Sequence, residues 1–336
     1  MAKLDIKNRK ILYELYSNAR ISSKALAKKV GLSREVVDYR IKKLSKDGFI
    51  KNYITMVDFD ILGYSMYSIY ISLQDLDEES EKEAINYLKG HHFVKWVVSC
   101  SGKWDILIQV AAKGKLHLDK ILGEIFLKLK PRLVSYEVLT SIKRYKDVDM
   151  LLISPCKEIL ADKIPASQHN RPKLLRKDLE ILALLAENAK MNIVDIAKKV
   201  SLSAETTSSK IKALQKSGII RNFRTVIDPS SLGRLWYMLL LDLAPVSPAM
   251  EKSIAEFCCA NKNIFFADKT LGSWSLRIEL LAKDHIEFHK ILRKIRNHLK
   301  GMLKSYELLI MFEEFKQVSL TKGMAKEISE SISSSS

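Results

Sequence analysis

The amino-acid sequence predicts an α+β protein built from two tandem units, each a (winged) helix-turn-helix domain followed by a domain of alternating strands and helices. Three observations support this prediction: the chain repeats itself at a fixed offset, the apolar pattern of each unit changes from helical to strand-like spacing, and positive charge is concentrated in two short windows. The elements of one unit therefore describe both.

The repeat has an offset of 170 residues. The segment ALAKKVGLSREVVDYRIKKLSKDGFIKNYITMVDFDILG aligns without a gap on DIAKKVSLSAETTSSKIKALQKSGIIRNFRTVIDPSSLG. The same offset places Gly102-Lys103-Trp104 on Gly272-Ser273-Trp274. The chain is thus an internal duplication of one unit, and each unit contains two domains.

The segment Leu32–Gly48 is predicted to be a helix. Ser33 is a favourable N-cap, because its hydroxyl can accept a hydrogen bond from the first turn. Val37, Ile41 and Leu44 form one apolar stripe, and Gly48 supplies a residue that ends helices readily.

Two further helices precede it, over residues 4–16 and 21–30, the second capped by Ser22 and followed by a tight turn at Gly31. A short helix, a glycine-containing turn and a capped basic helix are typical of a helix-turn-helix, whose second helix enters the DNA major groove. We therefore predict a DNA-binding domain at residues 1–52 and a second at 173–224.

The polar face of the predicted recognition helix carries the candidate DNA contacts. For one isolated helix, a solvated charged face is the alternative interpretation. The candidates in the first unit are Arg34, Glu35, Tyr39, Arg40, Lys42 and Lys43, with Lys28 and Lys29 as phosphate contacts.

After each of these domains, strand and helix patterns alternate. In the first unit they predict strands over 64–73, 94–99, 105–111 and 133–142, and helices over 78–90 and 117–129. The order βαββαβ specifies a ferredoxin-like domain, expected at 53–146 and again at 225–316. A linker is expected at 147–172 and a disordered tail at 317–336.

The charge distribution agrees with this arrangement. The chain has 336 residues and a formal charge of +17. Residues 1–52 hold 14 Lys and Arg against 5 Asp and Glu, and residues 171–224 hold 12 against 5, whereas the two intervening domains are nearly neutral. Two phosphate-binding modules would leave this footprint.

Composition also bounds the cellular setting. No run of eighteen apolar residues is present, so no membrane span is expected. Four cysteines without C-x-x-C spacing, and a charged N-terminus without an apolar segment, favour a reducing cytoplasm.

Together these motifs resemble the leucine-responsive regulator/AsnC family of transcription factors. The resemblance covers residues 4–146 and 174–316, and it includes a G-x-x-D turn formed by Gly102 and Asp105. It implies a regulator of double-stranded DNA whose ferredoxin-like domains dimerise through their sheets and assemble further. Because family members usually carry one unit per chain, we expect the two units to pair as an intramolecular pseudo-dimer.

The resemblance also implies a small effector, such as an amino acid, and no other cofactor. Its expected contacts are Gly102, Trp104, Asp105, Gly272 and Trp274. In the second unit Ser275 replaces the aspartate, which removes a carboxylate that could bind an ammonium group.

The second recognition helix is less basic than the first. Its candidate DNA contacts are Ser203, Ser208, Ser209, Lys210 and Lys212. Long bidentate donors are fewer there, so we expect an asymmetric DNA site whose first half is read more strongly.

Two alternatives to an effector-responsive regulator stay open. Sirohaem decarboxylases resemble this fold, although the strand VKWVVS contains no histidine and no catalytic or metal-binding residue is identified. Cys100 lies close to the G-x-x-D turn, where a buried structural thiol is the default interpretation and a redox, metal or haem response the alternative.

Overall fold

The three-dimensional structure is a computed structural model. It describes residues 4–75, 77–147, 174–228 and 230–334. Apart from Asp147, the predicted linker lies outside the described residues. None of the described helices is both long and apolar enough to cross a membrane.

Each DNA-binding domain is a cluster of three helices. In the first unit they are α1 (Ile6–Ser17), α2 (Ser23–Val30) and α3 (Arg34–Lys46); in the second they are α6 (Arg176–Glu187), α7 (Ile193–Val200) and α8 (Ala204–Lys216). The predicted caps are confirmed, because Ser22 accepts a hydrogen bond from the backbone of Ala25 and Ser33 from that of Val36. Ile11, Leu12, Leu15, Leu26, Val30, Val37 and Leu44 form the apolar core of the first cluster.

The two DNA-binding domains are joined by a ribbon of two strands, which the sequence did not reveal. Strand β1 (Ile50–Val57) of the first unit pairs antiparallel with β6 (Ile220–Ile227) of the second. The domain boundary predicted at 52/53 falls inside β1, and the one predicted at 224/225 falls inside β6. The ribbon therefore belongs to neither predicted domain alone. Ile227 completes the core of the first helix cluster and Val57 that of the second, so each core borrows a residue from the other unit.

The ferredoxin-like domains have the predicted order of elements. The first contains β2 (Ser65–Leu73), α4 (Glu78–Gly90), β3 (Val94–Ser101), β4 (Ile106–Ala112), α5 (Lys115–Leu129) and β5 (Leu133–Asp147). The second contains β7 (Leu235–Leu243), α9 (Pro248–Ala260), β8 (Ile264–Leu271), β9 (Leu276–Ala282), α10 (His285–His298) and β10 (Leu303–Gln317).

The two sheets close into one barrel in the order β10-β3-β4-β2-β5-β8-β9-β7. The closing pairs, β5 with β8 and β10 with β3, join strands of different units. They also explain why β5 extends beyond the predicted end at residue 142, since residues 143–147 pair with β8. Closure pairs both edges of each sheet, which would otherwise be open to aggregation.

The buried apolar residues of the barrel form three clusters, two on its outside and one in its interior. Helices α4 and α5 cover the outside of the first sheet, and α9 and α10 cover the outside of the second. The interior is filled by side chains of both units, among them Tyr70, Trp96, Trp104, Leu240 and Leu309. A single core therefore holds the two units together.

The prediction of a disordered C-terminal tail was wrong. Residues Lys322–Ser333 form a helix, α11, capped by Thr321. Met324 and Ile328 are four residues apart and pack against Tyr64 and Leu179, which links the helix to both units. The serine-rich end of the sequence obscured this apolar stripe.

Candidate DNA interface and effector site

The outward face of α3 is open to solvent. Tyr39 is 66% exposed, and Arg34, Glu35, Lys42 and Lys43 are exposed as well. Val37 and Leu44 are buried on the opposite face, so the helix presents its cations away from the core. This geometry suits a helix whose polar face meets DNA phosphates and base edges.

Arg40 differs from its neighbours because its side chain is only partly exposed and its guanidinium is hydrogen-bonded within the domain. Its Nη1 lies 2.6 Å from Asp5 and 2.8 Å from the side chain of Asn8, which ties α3 to the start of α1. This hydrogen bond lowers the pKa of the Asp5 carboxyl. Arg40 is therefore placed to position the recognition helix.

The second unit has an equivalent link between its recognition helix and its first helix, formed by different residues. Lys210, the counterpart of Arg40, lies 2.8 Å from Asp178, the counterpart of Asn8. Ser203 caps α8, Ser209 and Lys212 are exposed, and Ser208 is half-buried. At the two positions equivalent to Lys42 and Lys43, α8 thus offers one exposed lysine, Lys212, where α3 offers two.

Lys28 and Lys29 lie in the last turn of α2, and both are exposed. Lys29 forms a salt bridge with Glu14, half of its side chain remaining accessible. Contact with a phosphate would compete with that exposed pair, which costs little because such pairs contribute about 0–1 kcal/mol.

Reciprocal hydrogen bonds fix the two DNA-binding domains to each other. The Thr55 hydroxyl donates to the carbonyl of Leu185 at 2.6 Å, and the equivalent Thr225 hydroxyl donates to that of Leu15 at 3.0 Å. Both threonines are buried. Each strand of the ribbon is thereby anchored to the first helix of the opposite unit, so the spacing of α3 and α8 is set by the fold.

The two predicted effector turns each pack against the other unit. A Cβ on Gly102 would lie 2.7 Å from the carbonyl oxygen of Leu308, and one on Gly272 would lie 2.9 Å from that of Val138. Both glycines also have positive φ, +136° and +141°. Only glycine fits this close approach, so the two glycines allow the units to pack against each other.

Asp105 uses its carboxylate within the fold. Its Oδ2 accepts a hydrogen bond from the Leu73 amide at 2.7 Å, and the Oγ of Ser275 accepts the equivalent bond from Leu243 at 2.8 Å. Serine therefore replaces aspartate without losing this backbone contact. Trp104 is 2% exposed in the barrel core, whereas the Nε1 of Trp274 donates to Glu137 at 3.1 Å. Effector binding at these turns stays a prediction.

Cys100 is a buried thiol. It is 6% exposed, and its Sγ donates to the carbonyl of Trp104 at 3.2 Å. Burial raises the pKa of this thiol to about 12. Thiolates are the reactive and metal-binding form of cysteine, so this environment favours a structural role.

We expect Cys100 to resist alkylation in the folded protein. Iodoacetamide at pH 8 should label the half-buried Cys259 before Cys100, as followed by peptide mass spectrometry. Labelling of Cys100 at the rate of a small-molecule thiol would contradict the structural role, and the denatured protein provides the control for intrinsic reactivity.

Comparison with known proteins finds relatives of this chain among helix-turn-helix transcriptional regulators. Residues 4–51 and 174–221 both match the winged helix-turn-helix DNA-binding family. An uncharacterised HTH-type transcriptional regulator of Pyrococcus furiosus is 29% identical over 153 residues, which are 45% of this chain and 98% of that relative. A second regulator from the same organism is 31% identical over 128 residues, which are 38% of this chain and 85% of the relative.

A solved structure matches the whole length of the chain. The sirohaem decarboxylase NirDL aligns with a TM-score of 0.62 and 17% identity, covering 98% of this chain and 99% of that protein. At that identity the match shows a shared fold. The chain belongs to the family of winged helix-turn-helix transcriptional regulators, in a form that carries its two-domain unit twice.

Proposed function

We propose that the protein is a sequence-specific DNA-binding transcriptional regulator in which the two units act as an intramolecular pseudo-dimer. The observation that carries the proposal is the pair of capped recognition helices held at a fixed spacing by the β1–β6 ribbon. A homodimeric regulator places two identical helices on a palindromic site. Here one chain supplies two helices that differ in charge, which favours an asymmetric site.

Selection of bound fragments from a genomic DNA pool, at two salt concentrations, tests this function. We expect enrichment of a limited set of fragments, with bound DNA decreasing steeply as salt increases because phosphate contacts release counterions. A variant that lacks the outward lysines of α3, Lys42→Ala with Lys43→Ala, is the matched control. Absence of enrichment for the wild-type protein would contradict DNA recognition.

A response to a small effector is part of the proposal, together with assembly of several chains into a larger oligomer. Family resemblance supports both. Mass photometry at two protein concentrations checks assembly, with species larger than 38.4 kDa as the expected result. A 38.4 kDa particle at every concentration would contradict it.

Tetrapyrrole decarboxylation is the second candidate, favoured by the full-length fold match to a sirohaem decarboxylase. Against it stands the size of the cavities among the described residues, about 220 Å³ at the centre and about 370 Å³ next to Ser275. Pockets for drug-sized ligands measure about 300–1,000 Å³, and a tetrapyrrole with its peripheral carboxylates is at least that large.

An absorbance titration separates the two candidates. NirDL has been solved with an iron-uroporphyrin III analogue, which serves as the probe. We expect no saturable change in its spectrum upon addition of this protein. Stoichiometric binding would favour the enzyme.

A further inference from the structure

The central cavity lies where the two units meet. Its roof is the β1–β6 ribbon, contributed by Ile54, Met56 and residues 224–227, and its floor is the barrel. It has a volume of about 220 Å³, enough for a ligand smaller than a drug-sized molecule. The predicted effector turns do not line it.

Equivalent positions of the two units both line this cavity, but they carry different side chains. At the offset of 170 residues, the lining pairs are Lys95 with Phe265, Arg144 with Glu314, Ile54 with Arg224, Gln109 with Glu279, Asp147 with Gln317, and Trp96 with Phe266. A symmetric homodimer would carry each side chain twice. Divergence of the fused units has therefore given the cavity two chemically distinct sides.

One side of the cavity offers cationic donors. Among the residues that the structure describes, Lys95 forms no salt bridge, and its ammonium lies 4.8 Å from the centre of the Phe59 ring. Arg144 donates from Nη1 to Asp147 at 2.8 Å, whereas its buried Nε has no hydrogen-bond partner there. A buried donor without an acceptor is unfavourable, so both groups favour an added acceptor.

The carboxylates of the cavity are already engaged. Asp147 also accepts from Arg224 at 2.9 Å; burial opposes its ionisation, but Arg224 and Arg144 hold its pKa at about 2. Glu314 accepts from the Trp96 indole at 2.7 Å, and Glu279 accepts from that of Trp236 at 3.1 Å.

Burial also disfavours the ionised form of two of these carboxyl groups. It raises the pKa of Glu314, and it raises that of Glu279 to about 7. Lys95, Arg144 and Arg224 are thus balanced by Asp147, Glu314 and a Glu279 that is only partly ionised near pH 7, so the sum of the charges is positive.

Aromatic side chains supply the rest of the wall. Trp96 and Trp236 have ring centres 6.1 Å apart, and Phe265 lies 6.2 Å from Trp236. All three are at most 7% exposed. Such a wall suits a flat apolar body next to the cationic donors.

We propose that this cavity binds a small organic monocarboxylate, with its carboxylate between Lys95 and Arg144 and its apolar body against the tryptophan and phenylalanine rings. The site goes beyond the predicted effector turns. Because the ribbon that sets the spacing of the recognition helices forms its roof, occupancy would act on DNA binding, and this consequence rests on the proposed function.

Isothermal titration of the full chain with sodium benzoate, without DNA, tests the site. Benzamide has the same shape without the charge, and benzylammonium reverses the charge. We expect benzoate to bind with roughly millimolar affinity and the other two at least tenfold more weakly. Equal binding of benzoate and benzamide, tighter binding of benzylammonium, or no benzoate binding at about 10 mM would overturn the proposal.

The repeat suggests two substitutions for this test, because each unit shows which side chain the fold accepts at the equivalent position of the other. Lys95→Phe installs the residue of the second unit, and we expect it to weaken benzoate binding at least tenfold. Glu279→Gln installs the residue of the first unit, removes a negative charge and should tighten binding above pH 7. Lys304→Ala, at a separate cavity next to Ser275, should leave binding unchanged. If Lys95→Phe proves unfolded by its thermal transition, the Glu279→Gln result decides.

Binding should weaken as pH rises from 6 to 9. Burial lowers the pKa of Lys95 to about 8, so its positive charge is lost through this range, while Glu279 gains negative charge as pH rises through about 7. The other charged groups that act on Lys95 are Arg144, Asp147, Glu314 and Arg221. Binding that strengthens with pH would overturn the assignment of Lys95.

The benzoate titration tests the binding site, and the DNA measurement tests the regulatory function. Either claim can be contradicted without the other. Benzoate binding without an effect on DNA affinity would retain the site and remove its regulatory consequence. Loss of the proposed DNA function would leave the benzoate result unchanged.

Discussion

Replacing Asp268 with alanine is expected to lower the free energy of unfolding by about 3–5 kcal/mol, because it leaves a buried guanidinium without its partner. Arg277 contacts both oxygens of Asp268, at 2.9 and 2.7 Å, and the two side chains are 4% and 0% exposed. Arg277 also donates to Ser68 of the first unit at 2.9 Å, so the pair braces the barrel across its two sheets. Urea unfolding, followed by tryptophan fluorescence, measures the loss.

The first unit supplies the control for this experiment. Val98 and Leu107 occupy the positions equivalent to Asp268 and Arg277, and they face each other between β3 and β4 as the charged pair does between β8 and β9. Replacing a buried ion pair by well-packed apolar residues is often neutral. The double variant Asp268→Val with Arg277→Leu should therefore be close to wild type in stability. A double variant as unstable as Asp268→Ala would contradict this explanation.

Removing Lys42 and Lys43 together should reduce the salt dependence of DNA binding. Each phosphate contact contributes about 0.9 to the slope of log K against log salt, so the double alanine variant should lower the slope by up to about 1.8. Both lysines are exposed on the outward face of α3, whereas Arg40 is held by Asp5. Fluorescence anisotropy with a selected DNA fragment, at several salt concentrations, measures the slope.

Lys212→Ala is the matched control, because Lys212 is the counterpart of Lys42 on the second recognition helix. It should lower the slope by about 0.9 at most. Arg40→Ala should act through stability of the three-helix cluster, and so reduce affinity without the full change in slope. If the slope of the Lys42 and Lys43 variant equals that of wild type, another face of the domain meets the DNA.

Local patterns in the sequence predicted the helices, their caps and the order of strands well. Ser22 and Ser33 signal helix starts by short-range hydrogen bonds, and the stripe of Val37, Ile41 and Leu44 shows which face is buried. Such signals depend only on neighbours in the chain.

Contacts between the two units were harder to predict. The pairing of β1 with β6 and the extension of β5 along β8 join residues more than 100 positions apart, and no local pattern specifies such partners. The duplication is visible in the sequence, and so are the differences between the repeats, but only the structure shows which of them line the central cavity. Lys95 opposite Phe265, and Asp268 with Arg277 in place of Val98 with Leu107, are visible as differences between the repeats.

The distribution of base contacts between the two halves of the bound site is the decisive measurement for an unequal pair of recognition helices. Footprinting of a selected fragment, combined with substitution of every base pair, compares the half-site under α3 with that under α8. We expect two protected halves one helical turn or a multiple apart, with larger losses in affinity from substitutions under α3. A palindromic site with equal losses in both halves would contradict an unequal pair of recognition helices, and a protein that protects no DNA would contradict the regulator itself.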